Sequence, residues 1–198
     1  MIPRTRFVIS SIALAAGVAI VAGNSRDREF RAGTAAEYAH QSSDQVTIGA
    51  KAFDSEELTA EAFGKKADLL RYGVLPVLVV IENKREKTLD LRELEVNLVA
   101  ADGRHVSAIN PEDVPYLGRT GRRASQVPLP VPLPKKKNPL NAPEIVTRAF
   151  AAKILPPGDS ASGFFYFEAR REAGDKIYLN GLRDARSGQE ILYFEFGF

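Results

Sequence analysis

Eight successive residues constrain this fold more than any other feature: Val74, Leu75, Pro76, Val77, Leu78, Val79, Val80 and Ile81 carry no polar side chain. A strand with one wet face alternates apolar and polar positions. A short run that is rich in β-branched residues and apolar throughout is a strand covered on both faces. Pro76 has no N–H for a sheet ladder, so it belongs near the start of that strand. The chain must therefore lay material over each side of residues 74–81.

The remaining strand signals are of the ordinary kind. Residues 45–53 alternate in part and read as a strand. In 92–100, Leu94, Val96 and Leu98 point one way and Glu93, Glu95 and Asn97 the other. Asp102 and Gly103 make a tight-turn pair leading into a returning strand at 105–109. Three more strands are expected at 163–169, 176–182 and 190–198, with residues 186–188 as the last turn. Helices are few. Asp54 is placed to cap a short one, with Glu57 as its reciprocal partner, Leu58, Ala62 and Phe63 facing inward and Gly64 ending it. A further turn closes at Tyr72 and Gly73, and Pro143 opens a helix over 144–152. Six or seven strands with short helices predict a mainly β protein, an antiparallel immunoglobulin-like β-sandwich.

The first 23 residues look like a secretory signal. Arg4 and Arg6 precede a 17-residue apolar run over 7–23, and Val21, Ala22 and Gly23 are small enough to precede a cut before Asn24. The run is at the short edge of the roughly 20 residues that span a bilayer, so an uncleaved anchor is the alternative and no stable span is expected after cleavage. Residues 24–44 are polar with mixed charge and read as a flexible leader, followed by one domain over 45–198. Removing two of the 27 basic residues with the signal leaves 25 against 25 acidic ones, a balance that does not predict nucleic acid as a partner.

Residues 110–143 hold eight of the twelve prolines, and from 114 to 143 there are six basic residues and no acidic one. This composition suits an extended, polyproline-like loop, centred on 118–140. Arg119, Arg122, Arg123, Lys135, Lys136 and Lys137 are its candidate contacts to an anionic partner.

Catalytic and metal chemistry finds little to work with. There is no cysteine, which removes disulfides, thiolate ligands and cysteine nucleophiles. The two histidines, His40 and His105, stand far apart in sequence, and His105 reads as a solvated strand residue. Residues 158–162 place Ser162 where a serine hydrolase turn wants glycine. Glu93 and Glu95 share a strand face opposite apolar neighbours, which is the pattern of a wet outer surface. The terminal alternation of Leu192, Phe194, Phe196 and Phe198 suggests an outer-membrane barrel, but a barrel needs about eight or more strands of about ten residues.

Ile81, Glu82, Asn83 and Lys84 at the end of the apolar strand, together with Leu155, Pro156, Pro157 and Gly158 ahead of Gly163, Phe164, Phe165, Tyr166 and Phe167, resemble exported bacterial proteins with immunoglobulin-like accessory domains. The resemblance covers residues 70–198. It implies a binding or assembly role and offers no catalytic residues to transfer; with the signal segment and the missing site chemistry, the expectation is a module in the periplasm or beyond, with a protein or cell-envelope component as partner, no cofactor and no enzymatic activity. The alternative is a carrier holding a small apolar or glycan ligand between the sheets.

Overall fold

The computed structural model describes residues 30–117, 138–191 and 193–198. Within them lie eleven strands in chain order: β1 (Ala39–Ser43), β2 (Val46–Ala52), β3 (Val74–Asn83), β4 (Leu89–Asp90), β5 (Glu95–Val99), β6 (His105–Ser107), β7 (Ile154–Leu155), β8 (Ser160–Glu168), β9 (Lys176–Asn180), β10 (Arg183–Asp184) and β11 (Phe194–Gly197). Two α-helices, α1 (Glu56–Phe63) and α2 (Pro143–Thr147), and short 3-10 turns join them. The count exceeds the expected six or seven because β4, β7 and β10 are ladders of two residues, too short to show a period, and because β1 lies where a flexible leader was expected.

The strands pair antiparallel in three sheets, β1-β2-β3-β8, β11-β9-β5-β6 and the small β10-β4-β7. The chain is an antiparallel immunoglobulin-like β-sandwich. Val46, Ile48 and Ala50 of β2, and Leu75, Val77, Val79 and Ile81 of β3, meet Val96, Leu98, Ile177, Leu179 and Phe194 of the facing sheet in one buried core. On one side the two large sheets are stitched together, where the Glu195 N–H donates to Oε1 of Gln41 at 2.9 Å.

The even positions of β3 go the other way. Val74, Leu78 and Val80 join Phe53, Phe164 and Tyr166 in a second core, roofed by Ala62 and Phe63 of α1, Ile145 of α2, and Leu69, Val114 and Leu140. Rings pack closely here: Phe53 and Phe63 lie 4.9 and 4.7 Å from Phe164 between centroids. Tyr166 buries its hydroxyl and donates it to the Ile145 carbonyl at 2.7 Å. Each fully buried aliphatic side chain contributes about 1.5–3 kcal/mol, so covering both faces of β3 is a large share of what stabilises the domain.

Several boundaries differ from the sequence expectation. Residues 24–44 were expected as a flexible leader, yet Ala35 is fully buried and β1 is a full partner of β2. The hairpin turn between them is made by Asp44 and Gln45, both at positive φ (47° and 60°). Such a turn usually announces itself with glycine or asparagine, and here that signal is missing. The small residues upstream have a packing cause: a Cβ on Gly49 would come within 2.4 Å of the Ala35 carbonyl oxygen. Helix α1 is capped by Ser55, whose Oγ accepts the Leu58 N–H at 3.3 Å, while Asp54 pairs with Arg171 at 3.3 Å. Phe53 has to enter the second core, so the chain turns into the helix one residue later than Asp54 would place it. Strand β5 starts at Glu95, because Asp90 accepts the Arg92 N–H and Leu94 bonds back to Leu91, turning residues 91–94. Helix α2 ends at Thr147, since Phe150 N–H is drawn to the Phe164 carbonyl at 3.1 Å.

Candidate functional site

The six basic residues singled out in the sequence, Arg119, Arg122, Arg123, Lys135, Lys136 and Lys137, lie outside the described residues. The flanks of their segment are described. Asn138 donates its Nδ2 to the Pro115 carbonyl at 2.7 Å, and Val114 and Leu140 are buried on either side. The expected signal segment is likewise outside the description. Among the described residues no helix is long and apolar enough to cross a membrane.

The residues considered for catalysis are not brought together. His40 is exposed, its Nδ1 at 2.9 Å from the Tyr38 carbonyl, and His105 sits at the far edge of the other sheet. Among the described residues no group of three His, Cys, Asp or Glu side chains is placed to hold a metal ion. Ser160 and Ser162 are ladder residues of β8, paired with Glu82 and Val80. Glu93 is held by Arg183 at 2.9 Å. Between the sheets, where a carried ligand would lie, Val77, Val79, Leu98, Ile177 and Phe167 fill the space.

Polar chemistry gathers instead where β10 and β4 close one end of the sandwich. Asp184 is almost fully buried. Its Oδ1 accepts the N–H groups of Arg186 and Ser187, both at 3.0 Å, and its Oδ2 faces Lys87 at 3.4 Å and Arg85 at 3.9 Å. These backbone donors, Ser187 first, hold its carboxyl down to about 2. Asn83, also buried, braces the same end by donating its Nδ2 to the carbonyls of Lys87, Leu155 and Pro156. Nearby, Arg92 grips Asp90 through side-chain hydrogen bonds and lowers that carboxyl to about 2 as well.

Beside this cluster runs a surface groove. A cleft of about 640 Å³ between Asp90, Arg183 and Ser187 shares Arg92, Glu93, Gly181 and Arg183 with a second of about 410 Å³, which Glu95, Asn180 and Glu190 complete. Two buried atoms lining the groove have no hydrogen-bond partner: Oδ1 of Asn180, an acceptor, and Nε of Arg183, a donor. Nη2 of Arg183 pairs with Glu93. Asp184 Oδ2, in the adjoining cleft, also lacks a hydrogen-bond partner, as do Arg85 Nη1, Arg171 Nε and Asp175 Oδ1 elsewhere among the described residues, so three of these six atoms belong to residues of the groove.

The groove opens onto the outer face of the β11-β9-β5-β6 sheet, which no element among the described residues covers. The register puts Glu195, Tyr178, Asn97 and Ser107 in one row across four strands. Lys176, Val99 and His105 form the next row, and Asn180 sits opposite Glu95. Tyr193, just before β11, is 56% exposed and lies 5.5 Å from Tyr178 with the rings 29° apart. The His105 ring is 6.3 Å from Tyr178 on its other side. Three rings therefore cross the face diagonally, with Asn97 bonded to Ser107 at 2.9 Å alongside. Sequence reasoning did not single out Tyr178, Tyr193, Asn180 or Arg183. The available signal was tyrosine at an outward position, Tyr178 between Ile177 and Leu179, where solvent exposure alone would favour a small polar side chain.

No family model matches the chain, and no curated protein does. Among solved structures it is similar to the Bacillus subtilis ycdA protein, a lipoprotein candidate, at 13% identity with a TM-score of 0.39, covering 80% of this chain and 38% of that one. It is also similar to MPT63, a secreted protein of Mycobacterium tuberculosis, at 15% identity with a TM-score of 0.36, covering 82% of this chain and 95% of the other. The chain thus spans well under half the length of the Bacillus protein. Likeness at this level assigns no family, and the architecture above rests on strand pairing and packing.

Proposed function

We propose that this chain is an exported module without catalytic activity that works by binding a protein or cell-envelope component at its surface. Arg4 and Arg6 ahead of the apolar run 7–23 support export, with the mature chain beginning at Asn24. A cut there would leave Phe30 in place, and Phe30 already packs against Phe53 and Phe164 at 5.7 and 5.4 Å. The observation that carries the binding reading is the pairing of an uncovered aromatic diagonal with a groove lined by a buried acceptor and donor that lack partners. Aromatic rings on an outer sheet face beside a cleft with a few polar groups are the makings of a binding surface. By their charge alone, Arg119, Arg122, Arg123, Lys135, Lys136 and Lys137 add candidate contacts to an anionic envelope component.

Expression of the full chain in a bacterial host with fractionation tests both parts. Mass spectrometry is expected to find the mature N-terminus within a few residues of Asn24, and an intact Met1 on envelope-extracted protein would overturn export. Purified mature chain is expected to sediment with isolated envelopes. A chain that stays in the supernatant at every protein and salt concentration would overturn the binding reading.

A further inference from the structure

We propose that the uncovered face of the β11-β9-β5-β6 sheet is a binding site for a neutral glycan chain, lying along Tyr193, Tyr178 and His105 and entering the groove at Asn180 and Arg183. This rests on the reading of the chain as a surface-acting binding module and gives that surface its ligand class.

The chemistry of the face selects among occupants. A sugar ring presents C–H groups on its faces and hydroxyls around its rim. Aromatic rings attract the C–H faces, and side chains beside the rings take the rim. A hydroxyl both donates and accepts, so it suits a groove lined by the Asn180 amide and the Arg183 guanidinium, each of which keeps one atom without a hydrogen-bond partner. Asn97, Ser107 and Glu95 stand next to the rings at positions set by the strand register. Side-chain groups of this kind, a few polar atoms beside aromatic surface, are what fix orientation in ligand sites.

Charge narrows the class further. Lys176 is paired with Glu195 at 2.9 Å, Arg183 with Glu93, and Arg92 with Asp90. Among the described residues Glu95 and Glu190 line the groove without a cation partner, and the two clefts together carry Asp90, Glu93, Glu95, Asp184 and Glu190 against Arg92, Arg183 and Arg186, an excess of negative charge. Single-stranded nucleic acid also stacks on aromatic side chains, but its phosphates would meet these carboxylates. A polyanionic glycan meets the same obstacle. A neutral chain does not.

The mature full-length protein is to be titrated by calorimetry with two probes, cellohexaose and the β-1,4-linked hexamer of N-acetylglucosamine, with a single-stranded oligonucleotide as comparison. Binding of at least one hexasaccharide is expected, with the oligonucleotide much weaker. Tyr193→Ala and Asn180→Ala are each expected to weaken sugar binding by about tenfold or more while the melting temperature stays near that of the parent chain. Tyr116→Ala, also at an exposed tyrosine but away from this sheet, is expected to leave it unchanged. Tyr178→Phe keeps the ring should Tyr178→Ala fail to fold. Absence of binding to both hexasaccharides, or equal binding by the Tyr193 and Tyr116 variants, overturns the proposal. If sugars fail but envelopes still sediment the chain and Tyr193→Ala releases it, the ligand class falls and the binding face stands. Tighter binding of the oligonucleotide would reassign the face.

Discussion

The two large sheets of this domain use their outer faces differently. The β1-β2-β3-β8 sheet is roofed by α1, α2 and the segments around Val114 and Leu140, so β3 is buried on both sides. The β11-β9-β5-β6 sheet is buried on one side and carries Tyr178, Asn97, Lys176 and His105 on the other. Along β3 the first sheet is scaffold on both faces. The other is half scaffold and half surface, and that surface is where side chains are free to meet a ligand. Buried polar groups differ in the same way. Under the roof, burial pushes the Tyr166 phenol up and keeps it neutral. At the open end, Asp184 and Asp90 are held ionised by backbone donors and arginine.

The largest expected effect breaks or upholds this contrast directly. In β3, Val79→Asp faces the core between the sheets and Leu78→Asp faces the roofed core, so each is expected to cost several kcal/mol. In β5 only one face should behave so. Val96→Asp is expected to cost as much, while Glu95→Lys should move stability by less than about 0.5 kcal/mol. Urea denaturation of the four variants measures it. A mild Leu78→Asp would mean the roof does not seal β3, and a costly Glu95→Lys would mean the second sheet is covered after all.

How much of this was legible in the sequence follows the same division. The unbroken apolar run of β3 required two cores, and both exist. The alternation of Val96 and Leu98 placed the inner face of β5 correctly, but its start was misjudged, because Asp90 and Leu91 make a turn that no hydrophobic period records. β1 was missed for two physical reasons: its turn lacks glycine, and its residues are polar because one edge and one face are wet. Ser55 and Asp54 are both competent caps, and only the burial of Phe53 decides between them. The candidate groove was not legible. Asn180 and Arg183 become neighbours of Glu95 and Glu93 only through the pairing of β9 with β5 and the turn after it, a relation of strands some eighty residues apart.

A smaller effect sharpens the difference in buried polar groups. The folded-state carboxyl of Asp184 lies at about 2 against an ordinary 3.8, so its contribution is fully present above about pH 4 and is lost as pH falls through 2. Asp90 titrates over the same window for a different cause, the Arg92 side chain. Stability of the parent chain is therefore expected to fall between pH 4 and pH 2, and in Asp184→Asn the fall should be shallower. Tyr166→Phe, under the roof, should leave the slope in this window unchanged. The check is denaturant unfolding at half-unit steps of pH. Parallel curves for the parent and Asp184→Asn would show that the open end does not hold its charge as described.

The smallest effect is expected where the roof gives way to residues 118–137. Their flanks belong to the scaffold: Val114 and Leu140 are fully buried, and Asn138 bonds to Pro115 across the two ends. Because that bond already brings the ends together, a short flexible link can replace the twenty residues between them without pulling on the core. Loop-closure entropy changes by only about 0.6 kcal/mol per doubling of length, so cutting the twenty residues to about five glycines and serines, two halvings, should change stability by about 1.2 kcal/mol, in the stabilising direction. The same deletion removes Arg119, Arg122, Arg123, Lys135, Lys136 and Lys137. If those residues meet an anionic partner, retention of the parent chain on vesicles containing phosphatidylglycerol should weaken with salt and vanish in the shortened chain. Hexasaccharide binding, which is assigned to the β11-β9-β5-β6 sheet, should be the same in both. A fall in melting temperature of many degrees would place the segment within the roof. Unchanged vesicle retention would remove the six basic residues from contact with anionic lipid, and lost sugar binding would show that the segment contributes to the sugar site.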